Sequence, residues 1–375
     1  IMPRFPYFQV FLQRGFFWYY LQKHQEIPVI TLMKPLGINK FPNKKMTSHL
    51  LKISVKGRVI AVDFSHILTD GNGGLRFLMS FIAEYLRSLG IKIEHHQNLL
   101  EPGEIPDPEE FQDSHRHFFK AGIPGPPNLP GAFHIEDKQL YKQGFRLITG
   151  KISSSELLEL TRANKASITE YLVALYLHCL AEIYQDYLKQ GRKPDNSVIR
   201  LEVPVDMRKF YPSSTMRNFS LYISPEIDGK LGEYNFKEIL NKVHHSMQIQ
   251  SDHKELARQI SRNVAAELNP LIRIVPLFLK DLYLSGLYSR LGEKIYSGVL
   301  SNLGRINIPE SMASEIDSVN VIMYPNQLMK KSCSVLSFGD DLYINLSSAV
   351  KSRDFEHRFF THLVKEGISV MVKEE

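Results

Sequence analysis

Short blocks of strand-like pattern and longer blocks of helical spacing share this chain, and the period of the apolar positions sets the element series. Residues 7–12 (YFQVFL) and 16–21 (FFWYYL) are short and aromatic, which predicts two strands turning at Gln13-Arg14-Gly15. Residues 27–47 scatter Pro, Gly, Asn and Lys and predict a loop. Residues 49–55 and 58–64 flank Lys56-Gly57 and predict a second hairpin. Leu75, Phe77, Leu78, Phe81, Ile82, Tyr85 and Leu86 then recur at helical spacing as far as Gly90, a C-terminal stop.

Seven prolines between Pro102 and Pro130 preclude a long helix or central strand across 101–131, so this segment reads as a crossing loop between two lobes. Residues 144–152 return to strand character. Ser153 with Glu156, and Ser167 with Glu170, carry the capping-box spacing and start helices. The second helix, to about Lys189, is apolar on most faces and therefore deeply buried. Residues 197–205 and 218–223 predict strands, 236–268 and 271–291 helices, and 296–303, 319–324, 333–338 and 342–346 further strands. A last amphipathic helix is expected over 355–372. The series has no fixed repeat and predicts an α+β (mixed α/β) protein, divided at 1–145 and 146–375.

Composition narrows the function classes. The chain has 375 residues, long enough for two core-bearing lobes. Its formal charge of +6 is thinly spread, without a dense basic run or an RNA-binding motif, which argues against nucleic acid. Cys179 and Cys333 make no disulfide framework and fit a reducing, cytoplasmic setting. No apolar run reaches membrane-spanning length, and the histidines lack metal-ligand spacing. Ile1-Met2-Pro3-Arg4 leads almost directly into a strand pattern, which reads as a chain lacking its true beginning. Residues 272–294 mix Arg and Lys with Leu, Ile and Tyr, and read as a packed helix in preference to one lying on a membrane.

The candidate chemistry lies where the 58–64 strand hands over to the helix, at Ser65-His66-Ile67-Leu68-Thr69-Asp70-Gly71. A histidine at a strand end can present its ring to a cavity, and imidazole ordinarily titrates near physiological pH, as a general base requires. Asp70 is placed to cap the helix, and Gly71 permits a backbone conformation that other residues resist. Asn72-Gly73-Gly74 follow, in a spacing that fits neither a P-loop nor a dinucleotide fingerprint. Cys179, within the buried helix, has no paired His signature and is a poor nucleophile candidate.

His-x-x-x-Asp-Gly at such a junction resembles the active-site signature of the CoA-dependent acyltransferase superfamily. That group includes chloramphenicol acetyltransferase, alcohol acetyltransferases and the condensation domains of nonribosomal peptide synthetases. Two later stretches extend the likeness: Val203-Pro204-Val205-Asp206-Met207-Arg208 followed by Asn218-Phe219-Ser220, and Ser301-Asn302-Leu303-Gly304. The resemblance implies a two-lobed chloramphenicol acetyltransferase-like fold with an interlobe tunnel. His66 would be the general base, with Asp70 and Gly71 completing the motif and Arg208 pairing with Asp70 for architecture; Arg217 is the second candidate for that pairing. Ser301 or Asn302 would line the tunnel and donate to the oxyanion.

The implied reaction moves an acyl group from acyl-CoA, a substrate and not a cofactor, to an alcohol or amine, and needs no metal. A carrier-protein thioester is the alternative donor, and a non-catalytic ligand-binding relative the alternative role. Two departures stand out. Many relatives carry a second His where this chain has Ser65, and the Asp-Phe-Gly-Trp-Gly element of the plant BAHD branch is absent.

Overall fold

The computed structural model describes residues 1–33, 48–140, 144–291, 293–326 and 328–374. In chain order the elements are β1 (Val10–Arg14), β2 (Tyr19–Lys23), β3 (Ile30–Leu32), β4 (Leu51–Lys56), β5 (Val59–Phe64) and α1 (Gly71–Ser88). The short helix α2 (Ser114–His117) interrupts the proline-rich segment. Then come β6 (Arg146–Ser153), α3 (Ser154–Ala163), α4 (Ile168–Lys189), β7 (Val198–Asp206), β8 (Ser220–Ile223), β9 (Glu226–Asp228), α5 (Phe236–Gln250), α6 (His253–Leu268), α7 (Pro270–Arg273) and α8 (Leu277–Leu291). The series closes with β10 (Gly298–Arg305), α9 (Glu310–Ala313), β11 (Lys331–Phe338), β12 (Asp341–Ser348), α10 (Asp354–Lys365) and β13 (Met371–Glu374).

A large sheet runs in the order β13-β6-β12-β11-β10-β7-β8, with β9 also paired to β7. Strands β10 and β7 are parallel, as are β10 and β11, while the β11–β12 and β12–β6 ladders are antiparallel. Successive side chains on a strand point to opposite faces, so each strand serves two cores. Leu300, Val335 and Ile344 face α3, α4, α5 and α10 in the principal core. Leu303, Leu336 and Phe338 face Met79, Ala83 and Leu86 of α1. The other flank of α1, through Phe77 and Phe81, packs with Phe5, Phe8, Leu51 and Ile53 of the first lobe. Helix α1 is therefore the layer shared by the small sheet β3-β4-β5 and the large one.

Ser167 and Glu170 cap α4 reciprocally, each accepting from the other's backbone N–H, and thirteen of its side chains are buried. Among the described residues no single helix is long and apolar enough to cross a membrane.

Several boundaries differ from the pattern. The first hairpin turns over Gly15–Trp18, with Gly15 N donating to Trp18 O at 2.9 Å, and so begins two residues later than Gln13-Arg14-Gly15. Residues 30–32, expected in a loop, pair in parallel with β4; residues 34–47 of that expected loop lie outside the described residues. The single helix expected over 236–268 is two, because Asp252 caps α6 by accepting from Lys254 N. The last helix stops at Lys365, where Gly367 takes φ +88°, and the chain returns as β13 beside β6. Residues 319–324 form no strand. They cross the large sheet, and the Val321 carbonyl accepts from the Ser334 hydroxyl and the Asn345 amide instead of entering a ladder.

Candidate active site

Strand β5 ends at Phe64, and Ser65 N still donates to Leu50 O at 2.9 Å, so the backbone entering the motif is held to its neighbour. A tight turn follows, in which Leu68 N bonds Ser65 O at 2.8 Å. It buries Leu68, Thr69 and Asp70 and turns His66 and Ile67 outward. The Asn218 amide donates to the His66 carbonyl at 3.0 Å, fixing the main chain from the large sheet's side. Among the described residues, none hydrogen-bonds the His66 ring.

Asp70 has a different fate. Its Oδ1 accepts from Gly73 N at 3.0 Å, capping α1, and its Oδ2 accepts from Arg208 Nη1 and from Phe219 N, both at 2.8 Å. The carboxylate is thus spent on one helix end, one guanidinium and one strand. Arg208 spends its remaining donors on the carbonyls of Thr215 and Arg217 and on Asp206. Burial opposes its charge, yet Asp70 and Asp206 outweigh that effect and raise the Arg208 pKa above the ordinary arginine value. Arg217 contributes its carbonyl to this cluster, and the ion pair with Asp70 belongs to Arg208.

The glycines work through space. A Cβ on Gly71 would lie 2.7 Å from Leu303 Cδ2, one on Gly73 would lie 2.1 Å from Thr69 Oγ1, and one on Gly74 would meet the Phe64 ring at 3.0 Å. Gly71 is not among the glycines with positive φ, so its role is close approach and not the unusual backbone expected of it.

The Gly71–Leu303 contact brings the third stretch to the motif. Alternation along β10 puts Ser301 and Leu303 on the α1 face of the sheet and Asn302 on the opposite face. The Asn302 amide donates to Thr169 Oγ1 at 3.0 Å, and its carbonyl oxygen accepts from Gly304 N at 2.9 Å. Asn302 also lines a depression of about 270 Å³ with Ser154, Ile168 and Asp340, away from the His66 turn. The fold therefore gathers His66, Asp70, Gly71, Arg208 and the Ser301 face, and turns Asn302 elsewhere.

Sequence reasoning assigned no role to Thr69, Asn72 or Asn218. Thr69 Oγ1 donates to Met216 O at 2.8 Å, and the Asn72 amide donates to Asp206 Oδ2 at 2.9 Å. His115, from the proline-rich segment, packs edge-on against Phe219 at 5.0 Å. Thr69 and Asn218 stood inside the quoted stretches and Asn72 beside one, but their partners lie far off in sequence, and His115 carried no signal. Both cysteines are fully buried, and burial pushes both thiol pKa values up, so neither supplies a thiolate. Among the described residues no three His, Cys, Asp or Glu side chains gather as a metal site would need.

No protein-family model matches the sequence, and no curated protein sequence matches it either. Solved structures do match. The epimerization domain from the third module of tyrocidine synthetase B superposes with a TM-score of 0.57 at 10% identity, covering 96% of this chain and 84% of its own. Polyketide synthase associated protein 5 from Mycobacterium tuberculosis gives 0.55 at 12% identity, covering 96% and 86%. A condensation domain of the enacyloxin polyketide synthase gives 0.50 at 11%, covering 97% and 73%. The chain has the two-lobed chloramphenicol acetyltransferase-like fold. In this fold the His66 turn lies where the small sheet, α1 and the β7–β8 side of the large sheet meet.

Proposed function

We propose that the chain is an acyltransferase that moves an acyl group from acyl-CoA to an alcohol or amine, with His66 as general base. The observation that carries this reading is the contrast at the motif: His66 has a pinned main chain and an unclaimed, exposed ring, while Asp70 four residues on is wholly committed to the scaffold. A free imidazole nitrogen takes the proton of the acceptor hydroxyl or amine as that oxygen or nitrogen attacks the thioester carbonyl. The tetrahedral intermediate then collapses, the C–S bond breaks, and the departing thiolate recovers the proton from the imidazolium. The thioester is already activated, so no covalent enzyme intermediate is required, in keeping with two buried thiols. Ser301, on the sheet face that reaches Gly71, is the candidate donor to the oxyanion.

The test is thiol release from acyl-CoAs of graded chain length with mixed alcohols and amines, run with the parent protein and with His66→Ala. Release that needs both substrates and falls about 10²–10⁴-fold in the variant supports the reading. Equal turnover in the variant sinks it. Silence with free CoA thioesters but turnover with a carrier-loaded thioester would replace the donor and keep the base.

A further inference from the structure

Helix α8 is built inside out over its described side chains. Lys280 is its buried cation, 6% exposed, with Nζ donating to Phe17 O at 2.9 Å and lying 3.5 Å from the Trp18 ring centroid. The apolar residues around it point outward: Phe278 is 59% exposed, Leu282 75% and Tyr283 69%. The β1–β2 turn is fastened to this helix by Leu277 N donating to Phe16 O at 2.8 Å, and Phe16 is itself 70% exposed. Just before α8, Leu271 and Ile274 are 73% and 68% exposed. A water-facing helix normally shows the opposite arrangement, and a contiguous apolar face of this kind marks a contact surface. Over its described side chains, the segment read from sequence as a packed helix packs through Leu277 and Lys280 and leaves Phe278, Leu279, Leu282 and Tyr283 outside.

Charge identifies the occupant. Between Pro270 and Tyr283 the exposed cation is Arg273, Lys280 being turned inward, and the one carboxylate is Asp281. Asp281 pairs with Arg14 at 3.4 Å and accepts from the Tyr19 hydroxyl at 3.0 Å. Arg273 is exposed between Ile272 and Ile274, a cation set within the apolar face. Large apolar side chains set around an exposed arginine and beside an exposed tyrosine, Tyr283, fit the boundary between lipid headgroups and acyl chains. We propose that the Phe16 turn and the α7–α8 face dock this protein on an anionic lipid surface.

Cosedimentation of the chain with vesicles of phosphatidylglycerol in phosphatidylcholine tests the proposal, alongside pure phosphatidylcholine. Expected are capture by the anionic vesicles, weakening with salt, and a loss of roughly tenfold or more in Phe278→Glu and Leu282→Glu. Arg273→Glu, which alters no apolar contact, is expected to weaken capture as well and serves if either glutamate variant unfolds. Absence of capture, or capture that all three variants leave unchanged, overturns the proposal. So does capture by phosphatidylcholine alone to the same extent. Concentration-dependent self-association of the parent, abolished by the same glutamates in the absence of vesicle binding, would assign the face to a second copy instead.

Discussion

Asp70 holds three donors with two oxygens, and none of them belongs to a histidine. Removing one partner of such a buried pair leaves the other charged and unsatisfied, so Asp70→Ala and Arg208→Ala should each lose roughly 3–5 kcal/mol of stability. His66→Ala removes an exposed ring and should stay within about 0.5 kcal/mol of the parent. Thermal unfolding of the three variants separates the roles, and a parent-like Tm in Asp70→Ala would contradict the architectural one. Motif spacing pointed to His66, Asp70 and Arg208 because short sequence patterns record them. Asn218 stood in the second stretch without a role, since its amide meets a main-chain carbonyl 152 residues away, and that pairing exists only in the fold.

At the scale of elements, α1 begins in a crowded place. Gly73 sits against Thr69, which is 1% exposed and fixed by its bond to Met216 O, so Thr69 cannot yield to a new methyl. Gly73→Ala should therefore cost roughly 1–3 kcal/mol and pull the Asp70 cap out of line. Chemical denaturation should show a lower midpoint, and turnover should fall with it; a midpoint at the parent value would refute the crowding argument. The pattern of apolar positions found α1 and α4 well, because their spacing is long and regular. It missed the α5–α6 break and β13, where a single Asp cap and a single Gly outrank periodicity. It overread residues 319–324 for a related reason: an extended apolar run looks the same whether a strand or side-chain amides hold it.

At the scale of the molecule, packing disfavours the charged form of several histidines. Burial pushes the imidazoles of His49, His115, His178 and His362 below the ordinary histidine value, against the smaller upward pull of nearby carboxylates. The unfolded chain then binds more protons than the native one between those lowered values and about 6.5, so stability rises with pH across that window and is lost as pH falls through it. Denaturant midpoints taken from pH 7.5 down to pH 5.5 should decline, with a shallower slope in His115→Leu. A flat profile over that range would contradict the assignment. The two-lobed plan was implied by the resemblance of the three motif stretches. That both lobes share α1 was not, since a helix with two apolar flanks does not say which sheets it will meet.

The anchoring of Asp70 from the far lobe also has a consequence in time. Its ion-pair partner follows 138 residues later and its backbone donor 149 residues later. At a synthesis rate of about 5–20 residues per second, the helix start that carries the motif waits on the order of 7–30 seconds before its anchors exist. Throughout that interval the cap can form but the turn bearing His66 cannot set. The newborn first lobe therefore carries an unfinished corner, and the turn that bears His66 can set only after the rest of that lobe's chain has been made.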